Sequence, residues 1–258
     1  MLNEAVFADD IAAPAAANAS ACTGRASKAA RPAQHCATCS MRSVCMPQTL
    51  DAQELLRFDS IVSATRHIKR GDTLYRANDP FQSVYAIRAG SFKTVVMHRD
   101  GREQVTGFHL AGEVLGLDGL GTEVHSSDAI ALEDGSVCII PYALLESMCA
   151  ESRTLQQQVL RMMSGEIVRE SSLMMLLGTM SAEQRVASFL LNVSNRMKAR
   201  GYSAAEFNLR MTREEMGNFL GMKLETVSRM FSKFQRDGLV QTQGKLIRIV
   251  NIDALGRV

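Results

Sequence analysis

The sequence predicts an α+β chain in which a compact antiparallel β domain leads into one long helix, then into two short helices and a hairpin. Three observations carry this expectation. Residues 50–141 alternate short apolar and β-branched runs with turn residues, as strands do. Residues 155–178 change to a helical repeat free of proline. Residues 209–249 set two amphipathic helices across a glycine, ahead of a second alternating segment.

At 258 residues the chain is long enough for two domains, each with its own core. The formal net charge is only +2, but it is unevenly spread. Residues 1–50 carry 4 basic and 3 acidic side chains, 51–178 carry 12 and 17, and 179–258 carry 13 and 7, for balances of +1, −5 and +6. A basic last third beside an acidic middle is the footprint of a unit that meets nucleic acid, attached to one that does not. No run approaches the roughly 20 apolar residues of a membrane helix, and the N-terminal residues carry Glu4, Asp9 and Asp10 rather than a basic, apolar leader. A cytoplasmic protein that does not engage the membrane is expected. No glycine-rich phosphate loop, flavin motif or acid–base constellation suggests an enzyme.

Residues 1–34 hold 13 alanines and few large apolar groups, so they read as a disordered tail; Cys22 within it reads as an incidental thiol. Residues 35–50 form a cysteine loop. Cys36, Cys39 and Cys45 are separated by two and five residues, a spacing at which thiolates can share one metal centre. With Cys138 as a distant fourth ligand, the set suits zinc or an iron–sulfur cluster, and a ligand from a remote segment favours the cluster. His35 could replace one thiolate in a zinc site.

Residues 51–150 form the β domain. Its runs at 73–76, 84–88, 92–96, 104–108 and 136–140 are parted by Gly71-Asp72, Asn78-Asp79-Pro80, Ala89-Gly90 and Asp100-Gly101. Cys138 falls in the last run. Cys149 falls in a short helix at 144–149 and reads as core packing.

Residues 151–180 form the long helix. Leu160, Met163, Ile167, Glu170, Met174 and Leu177 recur at steps of three and four, the seam of a two-stranded coiled coil and hence of a homodimer. Glu170 is the exception. It would meet its twin near the two-fold axis, disfavouring the pair unless it is protonated or met by a base such as the adjacent Arg169.

Residues 181–258 begin with helical spacing at Arg185, Val186, Phe189, Leu190 and Val193. Thr212 and Glu215 then form a capping box that opens a short helix, which Gly221 ends. A second helix spans 224–237, with Val227, Met230, Phe231 and Phe234 turned inward. The segment 239–249 reads as a hairpin. Together these make a winged helix-turn-helix that binds double-stranded DNA. Glu225, Ser228 and Arg229 share the outer face near the start of the second helix and should specify bases: Arg229 suits guanine, and Glu225 a cytosine amino group. Thr226 lies among them. Lys233 and Arg236 further along, with Thr212 and Arg213 at the start of the first helix, complete the expected DNA contacts. A Glu225–Arg229 pair along the helix is the competing role for Arg229.

These residues resemble the FNR branch of the CRP/FNR superfamily of bacterial transcription regulators. The resemblance is carried by Cys36-Ala37-Thr38-Cys39, Val44-Cys45-Met46-Pro47, Ser83-Val84-Tyr85-Ala86-Ile87-Arg88, and Thr106-Gly107-Phe108-His109-Leu110-Ala111-Gly112-Glu113. It extends through Val137-Cys138-Ile139-Ile140-Pro141, Met163-Ser164-Gly165-Glu166-Ile167 and Glu225-Thr226-Val227-Ser228-Arg229. It implies an N-terminal β-roll sensor of the cupin-like jelly-roll, cyclic-nucleotide-binding type, a dimerisation helix and a C-terminal winged helix. It implies a [4Fe-4S] cluster on Cys36, Cys39, Cys45 and Cys138 that oxygen converts to a smaller form, an acidic dimer-helix residue at Glu170, and a palindrome of TTGAT-like half-sites read by Glu225, Ser228 and Arg229. RNA polymerase is the implied protein partner, with the turn 98–101 a candidate contact. The superfamily also contains cyclic-AMP receptors. Where these place an arginine this chain has Ser126-Ser127-Asp128, and no Lys or Arg occurs between Arg102 and Arg153, so no cyclic nucleotide is expected.

Overall fold

The computed structural model describes residues 35–98 and 100–258. The tail 1–34 with Cys22, and Arg99 of the turn 98–101, lie outside the described residues.

The cysteine loop is three successive 3₁₀ turns, Cys36–Thr38, Arg42–Val44 and Met46–Thr49. It runs into helix α1, Ala52–Ile61, which the alternating-run reading of 50–141 did not separate from the strands. The signal for α1 is a capping box: Asp51 accepts from Glu54 N at 2.8 Å while the Glu54 carboxylate reaches back to Asp51 N.

Eight strands follow: β1 (Ala64–Ile68), β2 (Thr73–Tyr75), β3 (Ser83–Ala89), β4 (Ser91–Met97), β5 (Glu103–Leu110), β6 (Val114–Leu115), β7 (Asp128–Ala131) and β8 (Gly135–Pro141). They form two antiparallel sheets, ordered β1-β8-β3-β6 and β2-β7-β4-β5. Apolar side chains of both sheets, including Ile68, Leu74, Ile87, Phe92, Leu115 and Val137, meet in one core, closing the expected roll. β1, β6 and β7 lie outside the runs that the sequence marks as strands.

Helix α2 (Tyr142–Glu151) contains Cys149, and α3 (Arg153–Thr179) is the long helix, capped by Ser152, whose hydroxyl accepts from Leu155 N. A second core lies beneath the cysteine loop, where Met46, Phe58, Val84, Ile140 and Leu155 are almost fully buried. The turn Met46–Thr49 packs directly on α3.

Helix α4 (Ala182–Ala199) opens on a Ser181–Gln184 capping box. It is followed by β9 (Glu206–Asn208), α5 (Arg213–Phe219), α6 (Leu224–Arg236), the hairpin β10 (Val240–Gln243) and β11 (Leu246–Ile249), and α7 (Ile252–Leu255). β9 pairs with β11 and makes the wing a three-stranded sheet. Gly217 lets α5 and α6 approach closely, because a Cβ there would stand 2.6 Å from Met222 O. Gly221 turns the chain at φ +64°.

The C-terminal unit and the roll share a core. Val95, Val105 and Phe108 of the roll join Phe189, Met216 and Phe231 in one buried cluster. Phe108, Phe189 and the half-buried Phe219 meet edge-on or tilted at the junction, with ring centroids 5.2–5.9 Å apart. Polar bonds align α5 on β5: Asn218 Oδ1 accepts from Val105 N at 2.6 Å, Asn218 Nδ2 donates to Glu103 O at 2.8 Å, and Lys93 Nζ meets Glu215 at 2.8 Å.

Candidate metal centre and DNA-reading surface

The loop and β8 bring Cys36, Cys45 and Cys138 to the border of one core, with Cys39 in the same loop; among the described residues no three of these thiols converge on a common point. Burial pushes the Cys45 thiol up to about 12, and raises those of Cys36 and Cys138, so without a cation these sulfurs stay protonated. Cys149 also borders this core, but the charge that perturbs it is Glu146, not the other cysteines.

Asp59, on α1, was not anticipated. It accepts from Cys36 N at 2.8 Å and lies 3.3 Å from His35 Nδ1. His35 and Cys36 thus share one carboxylate. Cys138 sits in mid-strand opposite Thr65 on β1 and Ala86 on β3, so its position is fixed by two ladders.

Above Cys45 a cleft of about 260 Å³ opens between Val44, the Gly112–Val114 turn, and Gln158, Gly165 and Arg169 of α3. Further along α3, Leu160, Met163, Ile167, Glu170 and Met174 are all exposed in the single chain. The last position of the expected seam departs from it: Leu177 is half-buried, its Cδ2 3.3 Å from where a Gly221 Cβ would stand, within its own protomer. Arg169 attracts Glu170 by charge but gives its hydrogen bonds elsewhere. Its guanidinium is hydrogen-bonded to Glu166, with Nε to Oε2 at 2.9 Å.

On α6, Val227, Phe231 and Phe234 are buried while Glu225, Ser228, Arg229 and Arg236 are exposed. Arg229 Nη2 lies 3.3 Å from Thr226 Oγ1, and the Glu225–Arg229 pair does not form. Three expected DNA contacts have partners inside the protein. Lys233 is salt-bridged to Glu183 of α4. Thr212 accepts from Glu215 N as the α5 cap, at 3.1 Å. The Arg213 guanidinium lies 3.1 Å from the centroid of the Phe231 ring, and burial draws its pKa down to about 10. Sequence periodicity places a residue on a face, but a long side chain can fold back to a partner from another element.

Comparison with known proteins adds to this geometry. Residues 184–258 match the Crp-like helix-turn-helix domain, and residues 65–152 match the cyclic nucleotide-binding domain. The transcriptional regulatory protein btr of Bordetella pertussis is 45% identical over 86% of this chain and 92% of its own length. The fumarate and nitrate reduction regulatory protein of Escherichia coli is 43% identical over 87% of this chain and 90% of its own. Among solved structures, FixK2 from Bradyrhizobium japonicum is similar with a TM-score of 0.70 and 30% identity, covering 75% of this chain and 96% of that one.

Proposed function

The chain belongs to the FNR-type branch of the CRP/FNR superfamily of transcription regulators, and from that membership we propose that it is a dimeric, oxygen-responsive regulator gated by a [4Fe-4S] cluster. Like its relatives it is a DNA-binding regulator of transcription and not an enzyme.

The observation that supports the reading is that Cys36 and Cys45 of the loop and Cys138 of β8 border one core, with Cys39 between the two loop cysteines. The donor chemistry fits: four soft thiolates, three from one loop and one from a rigid strand, in a half-buried setting. A cluster held there would supply an oxygen-labile link between loop and sheet. Zinc on the same four thiols is the second reading, and the relatives named fumarate and nitrate reduction regulatory protein favour the cluster over it.

The protein's own residues then carry the signal. Cys45 is followed directly by the turn that packs on α3, so a held loop steadies the N-terminal half of the seam. The exposed stripe of Leu160, Met163, Ile167 and Met174 buries on pairing, and Glu170 opposes it, leaving a dimer poised near balance. The paired protomers present two α6 helices to a palindrome of TTGAT-like half-sites, where Glu225, Ser228 and Arg229 read bases. RNA polymerase is the partner for activation. Among the described residues no helix is long and apolar enough to cross a membrane, and we place the protein in the cytoplasm.

The test is purification without oxygen, with iron, sulfide and zinc assays, then a spectrum, sedimentation and a DNA-shift titration before and after air. The expected result is iron and sulfide in the anoxic protein, bleaching in air, and loss of both dimer and DNA affinity. Iron-free anoxic protein, or affinity unchanged by aeration, would sink the proposal.

A further inference from the structure

One turn of the roll joins the cysteine loop to the DNA-binding unit. Gly112 turns the chain at φ +89°, and a Cβ on it would stand 2.6 Å from Val44 Cγ2, so the residue before Cys45 rests directly on this turn. Glu113 follows. Its carboxylate accepts from Arg196 Nε at 3.0 Å and Nη2 at 2.6 Å, from Arg200 Nη2 at 2.5 Å, and from Leu110 N at 3.1 Å. The same guanidiniums grip the roll's backbone: Arg196 Nη2 donates to Phe108 O and Arg200 Nε to Ala111 O, each at 2.6 Å.

Arg196 and Arg200 lie one turn apart at the C-terminal end of α4, the helix on which α6 packs. The Glu113, Arg196 and Arg200 side chains are only 13%, 19% and 5% exposed. Charges so enclosed are tolerable when fully bonded and costly when one partner withdraws, so displacing any member of the cluster disfavours the whole arrangement.

We propose that Glu113, Arg196 and Arg200 form a clasp that couples the cysteine loop to the orientation of the DNA-binding unit within one protomer, through the contact of Val44 with Gly112. The inference rests on the reading that the loop is the sensing element, and it adds a second output to the pairing of α3. A held loop keeps Val44 against the turn and the clasp shut. A released loop removes that support, and α4, with α5 and α6, loses its fixed setting on the roll.

Hydrogen exchange on the full-length anoxic protein tests this with four variants: wild type, Val44→Gly, Glu113→Gln and the double variant. Val44→Gly should lower protection of the amides at 192–201 by about tenfold when Glu113 is present, and should add nothing once Glu113 is Gln. Arg196→Gln, at the more exposed of the two guanidiniums, should give the same decoupling without leaving an unpaired buried cation. Equal effects of Val44→Gly in both backgrounds, or protection at 192–201 untouched by either clasp variant, overturn the proposal. Iron and sulfide measured on the same samples report separately on the cluster: iron-free wild type would defeat that reading while leaving the exchange result interpretable.

Discussion

Replacing Glu170 by Ala should strengthen dimerisation in air. Glu170 is exposed on the seam between Ile167 and Met174, both more than half exposed in the single chain, so pairing buries apolar surface around a charge that faces its twin. Arg169, the adjacent base, hydrogen-bonds Glu166, to which its Nε donates at 2.9 Å, and reaches Glu170 only by longer-range charge attraction. Two carboxylates about 6–8 Å apart across a partly dry seam, at an effective dielectric of about 20–40, repel by about 1–3 kcal/mol. Removing both corresponds to a dimer roughly 5- to 100-fold tighter. Sedimentation equilibrium of aerated Glu170→Ala protein at low salt reads this constant directly, and raising the salt should shrink the difference from wild type. Glu166→Ala frees Arg169 and should also tighten the dimer, though less. An association constant unchanged by Glu170→Ala would refute the charge argument.

Changing any one of Cys36, Cys39, Cys45 or Cys138 to Ser should strip iron from the anoxic protein and abolish promoter activity, whereas Cys149→Ser should spare both; iron retained by Cys138→Ser would overturn the ligand set. Arg229→Ala should cost about 1–3 kcal/mol on the preferred half-site and flatten discrimination at one base pair, measured by competition among single-substitution sites. A loss uniform across all sequences would instead assign Arg229 to the phosphate backbone. Burial alone would raise the Glu113 carboxyl, but the charges and hydrogen bonds of Arg196, with His109 and Arg200, bring it down from an ordinary 4.5 to about 2. Because the folded value lies below the unfolded one, this stabilisation, about 3 kcal/mol, is present in full above pH 4.5 and lost as the pH falls to about 2. Glu113→Gln should therefore flatten the acid limb of the stability curve in that window, and an acid limb parallel to wild type would count against the ion cluster.

What the chain discloses in one dimension divides along a physical line. Interactions closed within a few residues were legible: the Thr212–Glu215 box, the Gly221 turn and the inward stripe of Val227, Phe231 and Phe234 all recur in the structure. The capping box at Asp51 was equally legible and was passed over, because the apolar content of 50–61 blended with the strand-like texture after it. Partnerships across long stretches of sequence left no such signal. Glu113 and Arg200 are 87 residues apart, and nothing in either neighbourhood marks the other. The folding back of Arg213 onto Phe231 and the pairing of Lys233 with Glu183 belong to the same class, as does the shared core at Phe108. Two short strands of the roll escape for another reason: β6 is two residues, and β7 is four whose only large apolar side chain is Ile130, too brief for a period to show.

The match of residues 65–152 to a cyclic nucleotide-binding domain raises the question of what such a roll does without a nucleotide, and the loop after β6 offers a physical answer. Ser126 N and Ser127 N both donate to Asp118 Oδ2, at 2.9 and 3.2 Å, and the two hydroxyls reach the same oxygen at 3.2 and 3.1 Å. His125, buried and stacked 3.7 Å from the Tyr75 ring centroid, sets its Nδ1 3.2 Å from Asp118 Oδ1. Backbone amides and hydroxyls gathered on one oxygen make an anion cradle, and here the anion is the protein's own carboxylate. An incoming phosphate would have to expel Asp118 from all five contacts and then sit beside its negative charge, with no Lys or Arg in the sequence between Arg102 and Arg153 to offset it. That geometry argues against a cyclic-nucleotide ligand. The neighbouring Leu117 lines the same cleft as Val44 and Cys45, so this internally bonded loop forms one fixed wall beside the cysteine loop.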